Sequence, residues 1–406
     1  MSVRFAIVGV RNFAKSHYRK VKQLEETGEG KLVGIVVTDQ VKNAEAVEQF
    51  KKEGLIIWDT YEQLLVDGKD KVDIICLPTS IHSHAELAAA AMKQGYNVIM
   101  EKPPVPTIDE FDSLREVEKE TGQFCSVGFQ FMHSPTIRRL KEMILAGEFG
   151  ELQNIAVKGY WPRLKSYYTR NAWAGKLIHD GRLVLDGPVH NALAHYLQNM
   201  IFLAGEEQEK SANLKTVRAE LYRGHTYIQS DDTSVLEIET VNGVKIYFYV
   251  THCSDINYGP IMEIIGTKAT ATWNMKQETK ITYADGRVEE FDGGDSDPWL
   301  EVMRVPAKVH KGELKELMCT LDNTRSFQVA VNGMWLSAKK VREIPTQYVK
   351  EFLDEKGDLR TEVADIVKYL DQAFAERKLL SDIGVEWAVA TEPYNVEDLK
   401  EFNPFK

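Results

Sequence analysis

The sequence predicts a Rossmann-type α/β domain with a doubly wound parallel sheet, followed by an α+β domain built on a large, mostly antiparallel sheet. Three observations carry this. Over the first 125 or so residues, short apolar runs alternate with helical stretches. That pattern means a parallel sheet covered on both faces, and right-handed crossovers make it doubly wound. From about residue 150, strand-like runs follow one another with turn signals between them, which is the antiparallel pattern. A chain of 406 residues also exceeds one ordinary core, so two domains are expected, over 1–128 and 129–406.

The elements of the first domain read off in order. Val3–Val8 is apolar and ends in a glycine turn; Lys15–Glu26 is amphipathic and helical. Strands are predicted at Leu32–Val37, Ile56–Trp58, Val72–Leu77, Asn97–Met100 and Phe124–Gly128. Helices are predicted at Asn43–Glu53, Tyr61–Val66 and Ala85–Gln94, and Thr107 with Glu110 forms a capping box for another. In the second domain the strand-like runs are Leu152–Trp161, Lys215–Tyr222, Ser234–Thr240, Val244–Thr251, Ile261–Ile265, Thr270–Asn274 and Lys280–Tyr283. Asn242-Gly243 marks a hairpin. Helices are expected at Thr136–Ala146, Val189–Leu203 and Glu313–Leu321, a surface loop at Gly205–Leu214, and a charged helical tail over Gln347–Gly384.

Composition narrows the function. A formal net charge of −11 repels phosphate backbones, so nucleic acid is not an expected partner. Cys76, Cys125, Cys253 and Cys319 lie far apart without a CxxC, and read as buried, reduced thiols of a reducing compartment. His179, His195 and His252 lack the spacing of metal ligands and read as structural, so no metal is expected. No apolar run reaches membrane-spanning length, and Arg4–Gly9 already reads as a strand and its turn. The expected location is the cytoplasm.

Four constellations carry chemistry. The turn Gly9-Val10-Arg11-Asn12-Phe13-Ala14 fits the first and last positions of a dinucleotide fingerprint, with Arg11 at the middle glycine. It follows a strand and opens a helix, whose amides favour a phosphate. Thr38-Asp39 ends the second strand, where a ribose-binding acid belongs; Asp39 serves either that role or a cap. Glu101-Lys102-Pro103-Pro104 follows a strand at the carboxyl edge of the sheet, where open α/β sheets bind ligands, and the prolines stiffen the backbone beside the lysine. Asp186-Gly187-Pro188-Val189-His190 places Pro188 at the first position of a helix, with aspartate and histidine around its start. Standing alone, that segment is more simply explained by an aspartate cap and a core histidine. Between the last two lie Tyr160, Arg163, Tyr168, Arg170 and Trp173; with Asn191 they suit a ring that is apolar on one face and hydroxylated at its rim.

Taken together, the glycine turn, the EKP after a later strand and the D-x-x-x-H downstream resemble the glucose–fructose oxidoreductase / inositol dehydrogenase / rhizopine-catabolism (Gfo/Idh/MocA) family. Pro78-Thr79 and His82 are similar to its strand-end proline and following histidine. So, in the join between domains, are Val127–Phe129, Arg138–Lys141 and Gly147–Gly150. The resemblance implies that Lys102, Asp186 and His190 are catalytic. It implies that Gly9, Arg11, Asn12, Phe13, Ala14, Thr38, Asp39, Pro78, Thr79, His82, Glu101 and Lys102 line NAD or NADP. Pro188, Leu193 and Arg11 depart from the family pattern, which bears on substrate and cofactor grip.

The chemistry implied is hydride transfer between a nicotinamide dinucleotide and a secondary hydroxyl or ketone of a sugar or polyol. His190 suits the base for the hydroxyl proton and Lys102 the developing alkoxide, while Asp186 orients the histidine or holds a neighbouring hydroxyl. A nucleotide-sensing binding protein on the same scaffold, or a lyase or hydrolase using transient oxidation, would share these features. A broad sheet with one face left bare also predicts a homodimer or homotetramer.

Overall fold

The computed structural model describes residues 2–404, and in it the chain forms two compact units. The first comprises residues up to Val105, Asp109–His133 and Asp297–Thr324; the second holds Pro106–Ile108, Ser134–Ser296 and Arg325 onward.

In the first unit, six strands form one sheet: β1 (Val3–Val8), β2 (Gly30–Val36), β3 (Ile56–Trp58), β4 (Ile74–Leu77), β5 (Asn97–Met100) and β6 (Cys125–Val127). Their order is β3-β2-β1-β4-β5-β6 and every pairing is parallel. The order reverses between β1 and β4, and the crevice at the carboxyl end of such a switch point is where dinucleotides bind. The intervening helices are α1 (Phe13–Glu26), α2 (Ala44–Lys52), α3 (Tyr61–Asp67), α4 (His84–Lys93) and α5 (Ile108–Thr121). All four residues of β4 and of β5 are buried, as expected of strands covered on both faces.

The single boundary expected at 128/129 is not how the chain divides. The helix Pro298–His310 belongs to the first unit and buries Val302, Met303 and Ala307 in the core of Phe5, Ile7, Val21 and Ile99. Its start carries a clear signal, since Asp297 caps Leu300 N–H and Pro298 opens the first turn. The helix expected at Glu313–Leu321 is instead loop as far as Thr320.

The remaining elements are α6 (Pro135–Leu145), β7 (Leu152–Tyr160), the one-turn α7 (Lys165–Thr169), β8 (Ile178–His179), β9 (Arg182–Leu183), α8 (Ala194–Leu203), β10 (Leu214–Arg223), β11 (Thr233–Thr240), β12 (Lys245–Thr251), β13 (Tyr258–Gly266), β14 (Ala269–Asn274), β15 (Thr279–Tyr283), β16 (Val288–Phe291), α9 (the Pro298–His310 helix), α10 (Leu321–Ala338), β17 (Arg342–Glu343), β18 (Val349–Leu353), β19 (Leu359–Val363), α11 (Ile366–Glu376) and β20 (Tyr394–Asn395). Ten of these strands make one sheet in the order β16-β15-β14-β13-β7-β12-β11-β10-β17, with β20 also on β10. It is mostly antiparallel; β7 runs parallel to β12, and β17 parallel to β10. Asn242-Gly243 forms the expected β11–β12 hairpin, with Gly243 at positive φ.

Helix α8 is buried at every position and packs on β7 and β12. The buried Lys141 of α6 donates to Phe202 O and Gly205 O at its carboxyl end, and so anchors the loop that follows.

Among the described residues, the middle of the sheet face behind the oligomer expectation is not bare. The tail returns as the hairpin β18–β19 and α11, rather than as helix throughout. Leu370, Phe374, Leu380 and Trp387 pack with Ala156, Tyr160, Tyr222, Val235 and Tyr249, so the chain covers the middle of that face itself. Toward the far edge, β14 and β15 expose Thr270, Thr272, Lys280 and Thr282, a polar surface. Leu370→Ala should cost about 2–5 kcal/mol, as other large-to-small core changes do. Urea unfolding of the second unit, followed by tryptophan fluorescence, measures this; an unchanged midpoint would mean the tail is no part of the sheet's core.

Candidate active site

The amino-terminal unit presents one group of site residues. Gly9 ends β1 at φ 103°, and a side chain placed there would meet nothing within 4 Å. Asn12 also lies at positive φ, 51°, and turns the chain into α1. That helix starts without a side-chain cap and without an acid in its first turn. Its first amides, beside an open glycine, suit a pyrophosphate, so the residues fit a dinucleotide. Arg11 reaches sideways: its Nε donates to Asn43 Oδ1 at 2.9 Å, which pins the turn to the start of α2. Asp39 Oδ1 accepts Lys42 N–H at 3.0 Å, and that bond, with the Lys42 ammonium, holds its carboxyl below the usual range. That bond closes the turn ahead of α2, whose own N-cap position is Asn43, so Asp39 does not cap the helix. Thr38 is exposed just past β2, and Pro78 and Thr79 are half-buried just past β4. His82 lies in the short turn Ile81–Ser83.

Glu101, Lys102 and the two prolines leave the end of β5. Glu101 is buried, and its Oε1 lies 2.8 Å from Nε2 of the equally buried His17 on α1. Glu101 Oε2 accepts Lys102 N–H at 3.2 Å. The Lys102 ammonium stands 5.8 Å from the centre of the Phe13 ring, which brings the lysine to the glycine turn. Two further residues close this group. Trp299 stacks on Phe13 at 6.0 Å and meets His17 edge-on at 6.4 Å. His84 is buried, with Nδ1 at 3.0 Å from Pro104 O and Nε2 at 3.2 Å from Thr79 O, so it joins the two loops past β4 and β5.

The second unit holds the other group. Leu185 is buried at φ 52°, a conformation that costs a bulky residue on the order of 1–2 kcal/mol. It turns the chain so that Asp186 points back into the fold. Asp186 Oδ2 accepts Gly175 N–H and Oδ1 accepts Asn191 Nδ2–H, both at 2.7 Å; Arg170 Nη2 stands at 3.8 Å. The continuous helix expected over Val189–Leu203 is interrupted. Pro188–Ala192 is a wide turn in which Leu193 N–H donates to Pro188 O, five residues back, and α8 begins only at Ala194. Such widened turns recur at functional sites. His190 Nδ1 lies 3.1 Å from Leu185 O, so Nδ1 carries the proton and Nε2 is the basic nitrogen. Phe327 stacks on the ring at 6.3 Å.

Beneath this turn lies a carboxylate that sequence reasoning missed. Asp231 is fully buried; a side chain added to Gly187 would come within 2.2 Å of its Oδ1. The Ser230 and Ser234 hydroxyls donate to it, yet burial raises its carboxyl to about 6.

The expected substrate residues divide. Arg163, Arg170, Trp173 and Asn191 gather around Tyr167 and Asp186: the Arg163 and Arg170 guanidinium carbons lie 4.6 and 3.7 Å from the Tyr167 ring centre, and Arg170 lies 5.5 Å from Trp173. Tyr160 does not join them. It is buried under α11 and its hydroxyl donates to Asp371 at 2.7 Å, because the strand's alternation turns it to the covered sheet face. Tyr168 points inward as well, packed on His225 and Tyr227 at 5.0 and 5.9 Å, so it supports the site from within the core. Of the expected structural histidines, His252 sits against Trp161 O at 2.8 Å.

All four cysteines are buried, and none is in a disulfide among the described residues, in line with buried thiols. Among the described residues, His225, Asp232 and Cys253 bring three metal-ligating atoms within 4.8 Å of one another, a grouping that spacing along the chain does not reveal. Asp232 Oδ2 there accepts the His225 and Gly224 backbone N–H groups and contacts His225 Nδ1, all at 2.8 Å. These bonds hold the turn before β11. No helix among the described residues is long and apolar enough to cross a membrane.

A Rossmann unit whose glycine turn meets a lysine at the carboxyl edge, together with a large mixed sheet, defines a class of nicotinamide-dependent oxidoreductases. Residues 3–129 match the model of the oxidoreductase family with an NAD-binding Rossmann fold, and residues 137–272 match that of the GFO/IDH/MocA C-terminal domain. The chain belongs to the Gfo/Idh/MocA oxidoreductase family, and its first unit is an NAD-binding domain. Among relatives, scyllo-inositol 2-dehydrogenase (NAD(+)) of Bacillus subtilis is 26% identical over 299 residues, 71% of this chain and 79% of that one. The 4-carboxy-2-hydroxymuconate-6-semialdehyde dehydrogenase of a Sphingobium species is 26% identical over 226 residues, covering 50% and 69%. The WlbA dehydrogenase from Bordetella pertussis, solved with NADH and UDP-GlcNAcA, is similar in fold with a TM-score of 0.68, at 22% identity over 84% of this chain and 97% of that one.

The raised carboxyl of Asp231 gives a pH test. Its charged form is disfavoured in the fold, so its cost is absent below about pH 4 and grows as pH rises through about 6, reaching about 3 kcal/mol. Asp231→Asn should therefore gain stability relative to the parent between about pH 4 and about pH 8. Denaturant unfolding of both proteins at the two pH values measures this, and a constant difference would contradict it.

Proposed function

We propose that the protein is a dehydrogenase that moves hydride between NAD and a secondary hydroxyl or ketone of a sugar, sugar derivative or polyol. The observation that carries this reading is the Lys102 ammonium beside Phe13 of the glycine turn, on the carboxyl edge of an NAD-binding sheet. The relatives named for inositol oxidation support it, and so does the neighbour solved with NADH and a sugar nucleotide.

When bound, NAD supplies the hydride acceptor. The rest is the work of this chain. His190 Nε2 takes the hydroxyl proton; Leu185 O holds the ring in the tautomer that leaves that nitrogen basic. Lys102 supplies the positive charge that favours negative charge developing on the substrate. Asp186 acts as a positioning group: its bonds to Gly175 and Asn191 hold the turn that carries His190 and set Asn191 toward a neighbouring hydroxyl. Asp39, past the end of β2, places a carboxylate where a ribose 2′-phosphate would be repelled, which favours NAD over NADP. Arg11, Thr38, Pro78, Thr79 and His82 complete the proposed cofactor surface.

A panel of sugars and polyols, scanned for NADH formation, identifies the best substrate. On it, His190→Ala should lower kcat on the order of 10²-fold or more while NADH affinity changes little. Full activity in that variant would remove His190 from the chemistry, and no turnover on any member of the panel would count against the dehydrogenase reading.

A further inference from the structure

Resting on the Asp186–His190 turn being the substrate site, we propose that the substrate carries an anionic group, a carboxylate or a phosphate, received by Arg163 with Arg170.

Arg163 is the strongest sign. Its backbone is fixed on both sides: its N–H donates to His252 O at 3.0 Å, and its own carbonyl accepts from His225 Nε2 at 3.1 Å. Its guanidinium lies over Trp161 at 5.4 Å and Tyr167 at 4.6 Å. Aromatic faces of this kind hold the planar fork in place and leave its edge to donate. Yet the half-buried Arg163 makes no ion pair among the described residues, and its buried Nε has no hydrogen-bond partner. A positioned guanidinium left short of acceptors in a partly dehydrated place is built for an anion that arrives from outside.

The surroundings agree. Arg170 stacks on the same Tyr167 ring, so two guanidinium groups share one aromatic. Its distance of 3.8 Å to Asp186 Oδ2 is beyond a hydrogen bond, and leaves donors over. Asp186 places this pair beside the His190 turn. From Trp161 to Arg182 the chain carries Arg163, Lys165, Arg170, Lys176 and Arg182 against Asp180 alone, in a protein whose formal net charge is −11. A local excess of positive charge in an acidic protein draws an anionic ligand to one place. Burial and the nearby Arg163 push His252 down to about 3, so that ring adds no charge beside Arg163. A neutral sugar would need none of this.

The test is calorimetric titration of the NADH-loaded protein with glucuronate, glucose 6-phosphate, glucose and inositol. At least one anionic probe should bind roughly tenfold or more tightly than glucose, and Arg163→Gln should remove most of that preference, as expected for loss of a charge-assisted pair. Arg163→Lys should keep part of it, Arg170→Gln should weaken it, and unchanged NADH affinity shows that each variant is folded. The ranking of glucuronate against glucose 6-phosphate tells carboxylate from phosphate. Equal affinity for neutral and anionic probes, an anion preference that survives Arg163→Gln, or no binding of any probe would overturn the proposal. Arg163-dependent anion binding without turnover would leave it standing and remove the dehydrogenase reading; oxidation of neutral polyols with no anion preference would do the reverse.

Discussion

The hydrogen bond between His17 and Glu101 is the interaction on which the cofactor side of this protein depends. His17 lies one turn into the helix that follows the glycine turn, and Glu101 is the first residue past β5, next to Lys102. The bond therefore ties the nucleotide turn to the proposed catalytic lysine. Both partners are buried, so removing either leaves the other unsatisfied, at about 1–3 kcal/mol. The neighbours follow from it. Trp299 closes over His17 and Phe13, and the helix that bears it is held by Val302 and Met303 in the core of the parallel sheet. His84 secures the far side by bridging the loops past β4 and β5.

The second unit achieves a comparable rigidity by strain and burial. Leu185 adopts a left-handed backbone, Asp186 is drawn inward by Gly175 and Asn191, and the wide turn from Pro188 sets His190 against Leu185 O. Gly187 has no room for a side chain because Asp231 lies against it. Each feature is unfavourable alone and persists because a fully buried α8 and the sheet beneath over-determine the turn. Residues that hold a base in one tautomer need that certainty more than they need flexibility.

The parallel sheet was legible because its strands are continuous apolar runs and its glycine turn stands at the first strand end; β1, β3 and β5 fall where the sequence places them. The Lys102 and Asp186–His190 motifs were legible as residue types in a strand-end and helix-start context. His17 leaves a weaker trace, a histidine on the buried stripe Ala14, Val21 and Leu24 of α1, which a search for polar residues on apolar faces would find. Asp231 and the His225–Asp232–Cys253 cluster leave none, since only the folded sheet brings them to their partners. The tail misled because its many Glu and Lys residues favour helix, while pairing of Val349–Leu353 with Leu359–Val363 overrides that preference. Pro306, inside the returning helix, hides it in the same way.

The central claim is that Lys102 and His190 both serve one hydride-transfer reaction. A double-mutant cycle in kcat/KM, with Lys102→Ala, His190→Ala and both together on the best substrate, tests it most directly. Groups that serve one reaction as a unit are strongly non-additive, so the double variant should be within about tenfold of the worse single one. Losses that multiply in full would show two independent contributions and contradict the account.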